Sequence, residues 1–131
     1  MISVDTSVVV RYLVGTPADH AERAAELIDG DREIGISLLV IAEAAHVLGS
    51  FYRVPRPTIA DQLIALLTRS NVVPIEISKP DALEALVRAR SLGSTPITDA
   101  LIAATARAAG SVPVYTFDAR FGRLGAPAAT P

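Results

Sequence analysis

Apolar positions along the chain fall into short extended runs separated by longer stretches of helical spacing. Residues 2–5 read as a buried strand, 33–37 as a second, 71–77 (N-V-V-P-I-E-I) as a third and 112–117 (V-P-V-Y-T-F) as a fourth. Between them, 6–14 is predicted helical with Val8, Val9, Tyr12 and Leu13 inward, and 19–31 helical, rich in alanine and Glu/Arg and closed by Gly30. Helices follow through 38–52, from Pro57 to about Arg69, from Pro80 or Asp81 to Leu92, and from Thr95-Pro96 to Ala109 and Gly110. In the helix at 57–69, Ile59, Leu63, Leu66 and Leu67 share one face, a stripe available for a dimer or partner contact. Residues 118–124 read as a short helix or loop. The tail 125–131, G-A-P-A-A-T-P, is expected to fray.

Strands alternating with helices throughout predict an α/β fold with a mainly parallel central sheet, as a single domain over 1–124 followed by the tail at 125–131. At 131 residues one domain buries roughly two-thirds of its unfolded surface. Half the residues are hydrophobic and 20% charged, which excludes a disordered chain. Cysteine is absent, so disulfides and thiolate metal sites are excluded. The longest apolar stretch, 36–48, carries Glu43 and His46 and is shorter than the ~18 residues of a membrane span. With no basic leader pattern, a soluble cytoplasmic protein without membrane attachment is expected. The formal charge is −2 and lysine occurs once, at Lys79, so no polybasic arm marks a nucleic-acid partner.

Four acids do not read as surface. Asp5 ends the first strand in V-D-T-S-V-V-V, Glu43 lies inside the most apolar helix, Asp99 heads the alanine-rich T-D-A-L-I-A-A-T-A, and Asp118 follows the fourth strand. Each has a structural alternative. Asp5 and Asp118 read equally as caps, Asp99 as a favourable helix-dipole charge, and Glu43 as the polar stripe of its helix. Taken together they converge, because parallel strands bring their C-terminal ends to one edge, where open α/β sheets keep their ligands. Two carboxylates ~5 Å apart repel by about 3 kcal/mol at an effective dielectric near 20. Four such groups need a cation or a basic partner, and an all-oxygen set suits Mg²⁺ or Mn²⁺. Thr6, Ser7 and Thr116 are supporting hydroxyls. Arg11, Arg120 and Arg123 are candidate phosphate contacts, with a solvated surface role as the alternative for each.

In this order, V-D-T-S-V-V-V, the mid-helix Glu43, T-D-A-L-I-A-A-T-A and V-Y-T-F-D-A-R-F make the whole chain resemble a PIN-domain ribonuclease, most closely the VapC toxins of bacterial toxin–antitoxin pairs. The resemblance implies a three-layer α/β/α sandwich and an Mg²⁺- or Mn²⁺-dependent endoribonuclease. It also implies an RNA substrate, a VapB-type antitoxin partner, and catalytic and metal-binding roles for Asp5, Glu43, Asp99 and Asp118. A homodimer is expected as well. The rival is a PIN-like protein-binding scaffold without catalysis. Other signals are weaker. Glu43 and His46 form a single E-x-x-H where di-iron bundles need two copies. Asp5-Thr6-Ser7 lacks the second acid of aspartyl-phosphate phosphatases and of phospho-receiver domains, and no G-x-x-x-x-G-K-[ST] phosphate loop occurs.

Overall fold

A computed structural model describes residues 1–93 and 95–131. Its elements run β1 (Ile2–Ser3), α1 (Thr6–Val14), α2 (Ala18–Ile28), β2 (Ile34–Ser37), α3 (Leu38–Ser50), α4 (Arg56–Leu67), β3 (Val72–Ile75), α5 (Lys79–Leu92), α6 (Ile97–Ala108), β4 (Val114–Tyr115), a 3-10 helix (Ala119–Leu124) and β5 (Ala128–Ala129). Helix pairs connect β1, β2 and β3, as parallel strands require long crossovers. These three strands form one parallel sheet in the order β1-β2-β3, with Ile2 opposite Ile34 and Ile34 opposite Val72. The fold is the expected three-layer α/β/α arrangement, built on a small sheet.

The middle strand carries the core. Ile34 and Ile36 are fully buried, and Gly35 sits where a Cβ would meet Ile75 Cδ1 at 2.9 Å. Side-chain caps start α3 and α5, whereas prolines precede α2, α4 and α6. Ser37 caps α3 by accepting from the Val40 N–H at 3.2 Å, and Ser78 caps α5 by accepting from Asp81 at 3.2 Å. At the end of α1, Gly15 takes φ +82°, a left-handed turn that releases the chain toward α2.

Several expectations need correction. The first strand stops at Ser3 because Asp5 is already the α1 cap. The third strand stops at Ile75 because Glu76 adopts φ +74°, a conformation non-glycine residues take at a cost of about 1–3 kcal/mol. Glu76 uses it to bring Oε1 within 3.3 Å of the Leu38 N–H, so its carboxylate caps α3 together with Ser37. The fourth strand is only Val114–Tyr115 and lies outside the three-stranded sheet. It pairs in parallel with the tail, which is ordered as β5 rather than frayed, through Val114 N–H to Pro127 O (2.8 Å) and Thr116 N–H to Ala129 O (2.9 Å). In α1 the deeply buried residues are Val9 and Val10, while Val8, Tyr12 and Leu13 are half-buried. Finally, Ile59, Leu63, Leu66 and Leu67 are all within the core, at 0–3% exposure, so the stripe on α4 is consumed inside the chain and offers no dimer or partner surface.

Candidate active site

The C-terminal ends of β1, β2 and β3 share one edge of the sheet, and the chain places Asp5 two residues beyond β1. Asp5 is a helix cap. Its Oδ1 accepts from the Ser7 N–H (3.0 Å), the Ser7 hydroxyl (2.6 Å) and the Val8 N–H (3.3 Å). These bonds, the Ser7 hydroxyl first, hold its carboxyl below the usual carboxylate range. All three fall on Oδ1, so Oδ2 stands outside the cap.

Glu43 comes from α3, which the Ser37 and Glu76 caps start at the same edge. It is exposed, on a face with Leu39, His46 and Ser50 at helical spacing. The helix therefore has an outward stripe to which Glu43 belongs, though that stripe includes Leu39 at 78% exposure. Asp5 and Glu43 line one pocket of 540 Å³ together with Thr6, Ser7, Val10, Arg11, Val47, Phe51 and Tyr52. Arg11 is fixed there: its Nη1 donates to the Tyr52 hydroxyl at 2.8 Å.

The other two acids gather around an arginine. Asp118 caps the 3-10 helix through the Arg120 N–H (2.9 Å), and the Arg120 guanidinium grips both its oxygens, Nε to Oδ1 at 3.0 Å and Nη2 to Oδ2 at 2.9 Å. This bidentate pair, together with the backbone bond, lowers the Asp118 carboxyl to about 2. Asp99, half-buried in the first turn of α6, is close enough to add to the field that raises the Arg120 pKa, after Asp118. Thr116 supports Asp118 by accepting its N–H on Oγ1 at 3.0 Å. Arg123 is exposed on the 3-10 helix.

Asp5 and Glu43 thus share one pocket, and Asp118 is paired with Arg120. Among the described residues no group of three or more His, Asp or Glu side chains is gathered closely enough to hold a metal ion. Mg²⁺ is ordinarily held through one or two carboxylates plus substrate phosphates, keeping several waters. The oxygen donors of Asp5 and Glu43, beside the Thr6 and Ser7 hydroxyls, fit that requirement, whereas both Asp118 oxygens are engaged by Arg120.

Sequence reasoning missed Phe51 and Tyr52, which wall the Asp5–Glu43 pocket, and Glu76, which caps the helix bearing Glu43. The signal for the first two was available, since F-Y at 51–52 is the one adjacent aromatic pair in the chain. Nothing in the run N-V-V-P-I-E-I marks Glu76 as left-handed.

No helix among the described residues is long and apolar enough to cross a membrane. A family model described as PIN domain matches residues 2–127. Neither the curated proteins nor the solved structures compared with the chain gave a match. PIN domains are typically nucleases, bind RNA and use divalent metal ions. With that match over nearly the whole sequence, on a parallel α/β fold, the chain belongs to the PIN domain family.

Proposed function

We propose that this chain is a metal-dependent endoribonuclease that cleaves RNA phosphodiester bonds as the toxin of a type II toxin–antitoxin pair, with Mg²⁺ as its ion and Mn²⁺ as a substitute. The observation that carries the reading is that Asp5 and Glu43 line one pocket, beside the Thr6 and Ser7 hydroxyls and Arg11, at the C-terminal edge of the sheet. Asp5 and Glu43 would hold the ion, and Asp99 and Asp118 would complete the acidic site. A divalent ion bound there supplies a water of lowered pKa and charge stabilisation for the leaving oxygen.

The residues of the chain have their own tasks. Asp5 is held ionised by the α1 cap, whose three hydrogen bonds all fall on Oδ1. Arg11, fixed by Tyr52, is the phosphate contact the geometry favours, since it shares the pocket with both acids. Arg120 pairs with the Asp118 carboxylate, and the Thr116 hydroxyl accepts the Asp118 backbone N–H. The partners in this reading are an RNA substrate, a VapB-type antitoxin and a second copy of the chain. The dimer contact lies somewhere other than the α4 stripe, which is buried.

The test is cleavage of single-stranded RNA by purified protein with Mg²⁺ or Mn²⁺, with chelator, and with Asp5→Asn as the control for contaminating ribonuclease. Cleavage that needs the metal and disappears in Asp5→Asn supports the nuclease. Cleavage undiminished by chelator, or equal in the variant, refutes it and leaves the scaffold alternative. Arrested growth on expression, relieved by the product of a neighbouring reading frame, tests the toxin assignment separately.

A further inference from the structure

Phe51 follows the last turn of α3 and is 76% exposed, although it walls the pocket that contains Asp5 and Glu43. A ring so exposed contributes little to the core, yet it is not loosely held. Its N–H donates to Val47 O at 2.9 Å, and its ring packs edge-to-face with that of Tyr52, centroids 4.9 Å apart and planes at 70°. Tyr52 in turn accepts from Arg11, which sits on the helix that Asp5 caps. Ring, ring and guanidinium thus form one braced unit beside the two carboxylates.

We propose that Phe51 is a stacking platform for the nucleobase next to the phosphodiester that would be cleaved at the Asp5–Glu43 site. This rests on the nuclease reading and adds to it a preference for single strands, because only an unpaired base can turn its face onto a side chain. A protein partner fits the same ring less well. The centre of a protein–protein contact is depleted of charge, whereas Asp5, Glu43 and Arg11 share this pocket with Phe51. An RNA strand uses both parts, its phosphate toward Arg11 and its base on Phe51.

The experiment measures binding of a labelled single-stranded RNA by fluorescence anisotropy with Ca²⁺ in place of Mg²⁺, an ion that occupies oxygen sites without the octahedral geometry Mg²⁺ demands, and a gel of the same samples checks that the strand stays intact. One base–aromatic stack is worth about 1–3 kcal/mol, so Phe51→Ala should weaken binding about 5- to 150-fold. Phe51→Trp should retain wild-type affinity, and Phe51→Leu, apolar but without a π-face, should lose as much as the alanine variant. Walking an abasic site along the strand should find one position at which wild type and Phe51→Ala bind equally.

Unchanged binding in Phe51→Ala, equal losses at every abasic position, or no binding by the wild type overturns the proposal. Loss of a protein partner by Phe51→Ala with RNA binding intact also overturns it, and assigns the ring to that partner. The two readings separate cleanly. A wild type that binds through Phe51 but does not cleave on adding Mg²⁺ ends the nuclease reading alone, while cleavage indifferent to Phe51 ends the platform alone.

Discussion

Replacing Asp5 by asparagine and by alanine separates its two duties. The cap needs only an acceptor at Oδ1 for Ser7 and Val8, and asparagine supplies one as well as aspartate does. Alanine removes it, which costs about 0.5–2 kcal/mol. Unfolding entropy is about 2.1 cal/mol/K per residue, so over 131 residues 1 kcal/mol corresponds to roughly 3–4 °C. Asp5→Ala should therefore lower Tm by about 2–7 °C, and Asp5→Asn should stay within about 2 °C of wild type. Both should lose RNA cleavage by orders of magnitude, since neither carries the charge. The pH dependence has a definite sign. The carboxyl of Asp5 is lowered in the fold, so its contribution is complete above the unfolded value of 3.8 and fades as pH falls through the folded one. Calorimetry from pH 2 to 7 should show wild type losing an increment that Asp5→Asn never has. If Asp5→Asn melts as low as Asp5→Ala, the charge rather than the acceptor makes the cap. If it cleaves like wild type, Asp5 is a cap and nothing more.

Glu43→Gln, on an exposed face, should leave stability within about 0.5 kcal/mol of wild type while weakening Mn²⁺ binding in a calorimetric titration. Wild-type affinity and turnover in that variant would remove Glu43 from the site. For Asp118 the folded carboxyl is lowered to about 2, so the stability it draws from Arg120 is present above 3.8 and lost as pH falls toward 2. Comparing wild-type and Asp118→Asn melts over that window checks it, and parallel curves would count against the pairing. Leu63→Ala should cost about 2–5 kcal/mol, because Leu63 is fully buried in the monomer. A loss under 1 kcal/mol with a change in oligomeric state would return the α4 stripe to the surface.

The alternation of strand and helix was legible because it rests on local pattern, and so was the cap at Asp5, whereas the Ser78 cap starts α5 one or two residues before the Pro80 or Asp81 expected. What covers an apolar face is not local. The residues Ile59, Leu63 and Leu66 look the same whether buried by α5 or by another chain, and here the monomer buries them. The same limit applies to acids. Position after a strand put Asp5 at the sheet edge correctly, but Asp118 follows a strand that pairs with the tail and not with β1, so its company is Arg120 and Asp99. Glu43 was singled out for sitting in an apolar helix. Its exposure shows a stripe hidden from composition because Leu39 occupies part of it. Strand lengths failed where single residues depart from the pattern, as Glu76 does.

The pairing of β5 with β4 bears on how the protein can be handled. Ala129 O holds the Thr116 N–H, and the Thr116 hydroxyl holds the N–H of Asp118. The position of that last acid is thereby moored to residues that look dispensable. An affinity tag fused straight after Pro131, or trimming back to residue 127, would disturb the mooring without touching any acid. A preparation modified in this way keeps its core and all its acids yet loses the hold on Asp118, so a bulky label is better carried at a site remote from this ladder.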